Sequence, residues 1–281
     1  MQKHTMTEKM IEQYLEHLRF EERSEHTICR YRKALEDFYR FLPEKKTFGK
    51  GETLNWKEQL SKRYAASTVN VMLSAVNGFS AFYHWHECRV KPIKRQRGVF
   101  RDRRREMSRA EYLRLLDTAQ QMGKQRLYYI METLCSTGMR ISELRFVTVE
   151  ALSAGHVCVN CKGKLRVILL TKRLIKALRE YCRLNEIHSG PVFVTRTGKP
   201  VDRSNIWQEL QKLCKAAGVH SRKVFPHNFR HLFAVSFYHL EKDIAKLADV
   251  LGHASLETTR IYIMESGLEH ERQLERLGLV Q

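Results

Sequence analysis

The sequence lacks several features that would each point elsewhere. No apolar run approaches the roughly 20 residues that a membrane span needs, so an integral membrane protein is not expected. The opening Met-Gln-Lys-His-Thr leads into no apolar stretch of the kind found in secretory signals, and a cytoplasmic location is expected. There is no internal repeat and no low-complexity tract. The seven cysteines are odd in number, scattered and mostly in apolar company, which excludes a disulfide framework. Cys158 and Cys161 have metal-ligand spacing, but no second pair accompanies them, and strand residues three apart face opposite sides. No metal and no cofactor are expected.

Acid is scarce relative to base. Thirty-one Asp and Glu stand against 50 Lys and Arg, a net charge of +19. In 281 residues, enough for two domains, such an excess calls for a polyanionic partner, with nucleic acid ahead of an anionic membrane surface.

Residues 1–88 read as all-helical. Ile11, Tyr14, Leu15 and Leu18 keep a helical period, as do Ile28, Tyr31, Leu35, Phe38 and Leu42 before Pro43. A shorter helix is predicted through Trp56 and Leu60, then a long one capped by Ser67 and carrying Val71, Leu73, Val76, Phe79 and Phe82. From Arg89 to Arg105 nine bases face the single acid Asp102, around Pro92 and Gly98. This 89–106 stretch reads as a linker lying against phosphates, with Arg95, Arg97, Arg101, Arg103, Arg104 and Arg105 as its DNA contacts.

A second domain, 107–281, opens on the capping box Ser108-Arg-Ala-Glu111. A helix ending at Thr137 is broken by Gly138. Residues 156–170 form the one convincing β signal, a hairpin turning at Lys162-Gly163-Lys164. A short strand is predicted near Val192–Val194. Helices follow over 171–187, 202–217, 226–241, 243–250 and 255–265, and an amphipathic tail carries Leu268, Leu274 and Leu277.

The chemistry concentrates between Pro226 and Tyr262. His227 and Arg230 share a helix face, His253 follows in Leu251-Gly-His253, and Tyr262 lies beyond it. Guanidinium groups grip phosphate oxygens as a planar fork, imidazole moves protons near neutrality, and a phenol needs such help to act as a nucleophile. His227 and His231 have the spacing of zinc ligands, but Asn228 stands where a His-Glu-x-x-His site needs glutamate.

Thr137-Gly-Met-Arg140-Ile-Ser-Glu-Leu144, Val159-Asn-Cys-Lys162-Gly-Lys, His227-Asn-Phe-Arg230-His231, Leu251-Gly-His253 and Thr258-Thr-Arg-Ile-Tyr262 occur in that order, and together resemble the signature boxes of the tyrosine recombinases, the phage integrase family. Two departures stand out: Cys161 where glycine is more usual, and Asn228-Phe229 in place of a basic-Leu pair.

The resemblance implies a mainly α fold with a small β-hairpin, in which a helical core-binding domain and a catalytic domain form a clamp around duplex DNA. It implies site-specific strand exchange through a 3′-phosphotyrosine. Tyr262 would be the nucleophile, Arg140 and Arg230 the phosphate clamp, and Glu143 the support for Arg140. Lys162 would be the general acid, with Lys164 as runner-up; His227 would accept the tyrosine proton, and His253 would hydrogen-bond the phosphate. The implied partners are a double-stranded recombination site, further copies in a tetramer on two sites with the tail docked on a neighbour, and a directionality factor or partner recombinase. Two rival readings are a nick-and-seal enzyme like type IB topoisomerases and a non-catalytic DNA-binding regulator.

Overall fold

The computed structural model describes residues 3–94, 106–161, 164–195, 197–253, 255–263 and 275–278. The chain divides into two compact units, Met1–Arg97 and Gly98–Gln281. No helix among the described residues is long and apolar enough to cross a membrane.

The first unit contains α1 (Glu8–Phe20), α2 (Glu25–Phe41), α3 (Lys50–Arg63) and α4 (Ala66–Phe82), with a two-stranded ribbon of β1 (His4–Thr5) and β2 (Thr47–Phe48) pairing His4 with Phe48. Thr7 and Ser24 cap α1 and α2 by accepting from backbone N–H groups of the first turn. The periodic apolar residues turn inward as the sequence predicts: Leu15, Leu35, Phe38, Leu73, Val76 and Phe79 are buried around Trp56. Phe38 tilts against Trp56 with ring centres 4.9 Å apart, and the indole N–H donates to Asp37 at 3.3 Å.

One local expectation fails here. Ser67 is not the cap of α4; the helix starts at Ala66 behind Ala65, which offers no side-chain cap. The helix through Trp56 is shorter than α2 and α4, as the sequence predicts; the Glu52 carboxylate closes its N-terminus on the Gly49 amide at 2.8 Å and it runs to Arg63. After α4 the chain stays attached to this unit. Asn77 exchanges hydrogen bonds with both backbone groups of Val90, and Asn70 does the same with Ile93.

The second unit begins with α5 (Arg109–Gln121), whose Ser108–Glu111 capping box forms as predicted. Next come α6 (Gln125–Thr137), a 3-10 stretch Ile141–Phe146, α7 (Val149–Ala154), and the hairpin of β3 (His156–Cys161) and β4 (Lys164–Leu169). Cys161 pairs with Lys164 and Val159 with Arg166. The remaining helices are α8 (Lys172–Leu184), α9 (Arg203–Ala216), α10 (Pro226–Glu241), α11 (Ile244–Leu251) and α12 (Leu256–Ile263). Leu115, Leu134, Leu178, Phe193, Leu210 and Phe229 fill the core, and α10 packs on α6, α11 and α12.

The strand predicted near Val192–Val194 does not form; Pro191 and Val194 make single bridges to Thr148 and Pro200, and Val192 and Phe193 are used as core. Within the hairpin, Leu165 and Leu169 are 72% and 77% exposed, whereas Ile168 is buried and Arg166 points the same way. The basic residues Arg95, Arg97, Arg101, Arg103, Arg104 and Arg105, together with Lys162 and most of the tail, lie outside the described residues, as does the side chain of Lys164.

Candidate active site

Four short segments bring the predicted residues together. Helix α6 ends at Gly138, whose left-handed φ of 61° turns the chain toward Arg140. Pro226 occupies the first turn of α10, where its fixed φ suits the helix and its missing N–H costs nothing. From there His227, Arg230 and His231 rise on one face. Helix α11 stops at Gly252, again left-handed at φ 62°, and presents His253. Helix α12 then carries Tyr262 back across the same face of α10.

Tyr262 is enclosed by three imidazoles. Its hydroxyl lies 3.3 Å from His227 Nε2, its ring stacks on His253 at 5.8 Å with planes 10° apart, and His231 tilts against it at 5.4 Å. It is only 3% exposed and also packs with Ala234, Leu247 and Leu251.

Arg230 is buried at 2% exposure and almost fully engaged. Nη1 donates to the Gly138 carbonyl at 2.6 Å; Nη2 donates to the Leu251 carbonyl at 2.7 Å and to His253 Nε2 at 2.8 Å. Guanidinium has about five N–H donors and no acceptor, so His253 Nε2 must be the acceptor. Its proton therefore sits on Nδ1, which donates to Thr259 Oγ1 at 2.8 Å. Both ring nitrogens are thus committed to protein. The sequence expectation has His253 on the phosphate; in this structure its Nε2 accepts from Arg230.

The electrostatics follow from burying so much positive charge together. Burial, then the neighbouring Arg140 charge, lower Arg230 to about 10, with the Tyr262 hydroxyl opposing the shift. Burial and the Arg230, Arg140 and Arg166 charges lower His253 to about 4. His227 also falls below the ordinary imidazole value, first through desolvation by the protein packed around it and then through Arg230 and Arg140. One edge of His227 still opens to solvent. Both imidazoles are neutral near pH 7.

Arg140 is held from behind. The Glu143 carboxylate, 2% exposed, accepts from the Arg140 amide at 2.7 Å and from Arg140 Nη1 at 3.0 Å. The rest of the Arg140 side chain remains open to solvent. The same carboxylate accepts from Arg166 Nη1 at 2.9 and 3.0 Å. Arg166 belongs to the cluster, yet the only sequence signal for it is a charged residue within the apolar run 165–170. Asn228, a departure from the family pattern, donates to the Lys223 carbonyl at 2.6 Å and so ties down the turn ahead of α10.

Away from this cluster, His4, Glu87 and Cys88 place potential ligand atoms within 4.8 Å of one another. His4 Nε2 already meets Glu87 at 2.5 Å, and burial pushes the Cys88 thiol up to about 11, which favours its protonated form.

Comparison with known proteins adds the family. Residues 105–267 match the phage integrase family model, and residues 11–87 match the phage integrase N-terminal SAM-like domain. A tyrosine recombinase XerC of Roseiflexus sp. is 29% identical over 280 residues, covering 90% of this chain and 88% of that protein. The XerA of Pyrococcus furiosus is 25% identical over 289 residues, covering 100% and 98%. Among solved structures, a XerA recombinase aligns with TM-score 0.53 at 26% identity, over 98% of this chain and 100% of that one. A lambda integrase tetramer bound to a Holliday junction shares the fold, with TM-score 0.73 at 16% identity over 90% and 76%. With both family models matched along most of its length, and with recombinases as its relatives, the chain belongs to the phage integrase family and is an enzyme of the tyrosine recombinase type.

Proposed function

We propose that this protein cleaves and rejoins duplex DNA at a specific site, with Tyr262 forming the covalent 3′-phosphotyrosine. The observation that carries the reading is the Tyr262 hydroxyl at 3.3 Å from His227 Nε2, beside the buried Arg230 and within one cluster with Arg140. The neutral imidazole of His227 can accept the phenolic proton as the oxygen attacks phosphorus. Charge then builds on the non-bridging phosphate oxygens, where the fixed guanidinium groups of Arg140 and Arg230 stabilise it without reorganising. The Glu143 carboxylate aims Arg140, and His253 aims Arg230.

The departing 5′-oxygen needs a proton. We assign it to the lysine at the hairpin tip, Lys162 with Lys164 as alternative. The phosphotyrosine keeps the energy of the phosphodiester, so attack by a 5′-hydroxyl reverses the step, and the chemistry asks for no nucleotide. Because Tyr262 is buried, a DNA phosphate reaches its hydroxyl only as the residues around it give way.

In the same reading, residues 1–88, the basic 89–106 stretch and residues 107–281 all bind the DNA. The protein acts in the cytoplasm as a tetramer on two sites, with the 268–281 tail docked on a neighbour and a directionality factor or second recombinase deciding between integration, excision and inversion of an element.

The test uses duplexes that the protein selects from a random-sequence pool, made as a set with the 5′-bridging oxygen replaced by sulfur at successive steps. Wild type should form a denaturation-resistant adduct with one of them, and Tyr262→Phe should form none. An adduct that persists in Tyr262→Phe refutes the assignment.

A further inference from the structure

No motif singles out Arg166, yet its guanidinium is where three parts of the cluster meet. Nη1 donates to both oxygens of Glu143, the carboxylate that also holds Arg140. Nη2 donates to the Val250 carbonyl at 2.9 Å, at the end of α11. The next residue, Leu251, gives its carbonyl to Arg230, and His253 follows. The stem of Arg166 lies so close over Gly252 that a Cβ there would sit 2.4 Å from Arg166 Cδ. Only glycine at that turn admits the Arg166 stem in this position.

Arg166 itself belongs to β4, paired with Val159 in the hairpin whose tip carries the lysines. We propose that Arg166 is a positioning residue that fixes the lysine hairpin to the arginine clamp, holding the proton donor and the phosphate-binding groups in one register. The inference rests on the recombinase reading above and says which contact aligns the two halves of its chemistry.

A planar fork suits this task and an ammonium does not. Arg166 spans from the Glu143 carboxylate to the Val250 carbonyl with two separate nitrogens, whereas lysine offers donors at a single point. Arg166→Lys therefore keeps a positive charge beside buried Glu143, which preserves folding, and surrenders one of the two attachments.

The experiment compares cleavage by wild type, Arg166→Lys and Tyr262→Phe on one selected duplex, carrying either oxygen or sulfur at the 5′-bridging position. Sulfur leaves without a proton donor, so it reads the clamp alone; oxygen reads the clamp and the lysine together. The ratio of the two rates does not depend on what fraction of a preparation is folded. Arg166→Lys should bind the duplex as wild type does and cleave the oxygen substrate about 10–100-fold more slowly, as expected for misplacement of a reacting group. The loss on sulfur should be smaller by about threefold or more. Equal losses on the two substrates, or none, overturn the coupling. If wild type forms an adduct that Tyr262→Phe abolishes while the Arg166→Lys ratio is unchanged, only this inference falls. If wild type forms no adduct on any selected duplex, the recombinase reading falls with it.

Discussion

Replacing Gly138 by alanine separates two costs that usually arrive together. The residue sits at φ 61°, where a side chain costs about 1–2 kcal/mol. A Cβ there would also lie 2.4 and 2.8 Å from ring carbons of Phe233 and 3.0 Å from a methyl of Leu251. Relieving that overlap in a packed site costs about 1–3 kcal/mol. Gly155 is the matched control: it is left-handed at φ 79° but has nothing within 4 Å of its Cβ position. The gain from restricting the unfolded chain is common to both substitutions and cancels.

Gly138→Ala should therefore cost about 2–5 kcal/mol and Gly155→Ala about 1–2 kcal/mol. At about 2–4 °C per kcal/mol for a unit of this size, thermal melts should place Gly138→Ala several degrees below Gly155→Ala. Activity should separate them further. The Gly138 carbonyl accepts from Arg230 Nη1 at 2.6 Å, so the first substitution shifts the clamp and slows adduct formation, whereas the second leaves it unchanged. Melting temperatures within about 2 °C of one another would mean that Phe233 and Leu251 move aside freely, and the packing argument would be wrong.

Glu143→Gln turns one acceptor of a buried carboxylate into a donor facing arginine, and should cost about 3–5 kcal/mol in the melt together with slower adduct formation; wild-type stability would show that the ion cluster carries no net weight. His253 titrates at about 4 in the folded chain against 6.5 for an ordinary imidazole, so the unfolded chain binds more protons between those values. That contribution to stability is fully present above pH 6.5 and is lost as the pH falls toward 4; melts of wild type and His253→Asn should converge on acidification, and parallel curves would contradict it. The lowered His227 places the acid limb of the cleavage rate below pH 6.5, and a limb above that value would rule out His227 as the proton acceptor. Asn77→Ala leaves both backbone groups of Val90 without their partner and should cost about 1–3 kcal/mol, read as faster proteolysis after α4; unchanged proteolysis would mean that Asn70 holds the segment alone.

Much of this fold is written locally. The period of Ile11, Tyr14, Leu15 and Leu18, the Ser108–Glu111 box and the stop at Gly138 each depend on neighbours a turn away, and each appears where the sequence predicts it. The errors come where distant packing decides. Val192 and Phe193 have strand-like composition, but Thr148 and Pro200 offer only single bridges, so the segment becomes core without becoming a strand. Ser67 looks like a cap, but the preceding Ala66 already has room to be helical.

In the candidate site, His227, Arg230, His253 and Tyr262 are recognisable because their residue types are unusual together. Arg166 is not, since its meaning depends on Glu143 and Val250, which lie far from it in sequence. The alternation of β4 gives no help, since its exposed face is the apolar set Leu165, Val167 and Leu169.

The attachment of residues 90–93 to α4 has a mechanical side. Asn70 and Asn77 stand on one face of the helix, and each grips a backbone amide and carbonyl of the outgoing chain, Ile93 and Val90 in turn. A pull on the chain beyond Lys94 meets Asn70 first, and Asn77 takes up the load only after that pair has parted. Tension is therefore delivered to the body of a long helix rather than to its end. Pulled through this point, the helical unit is loaded by two paired side-chain grips along α4.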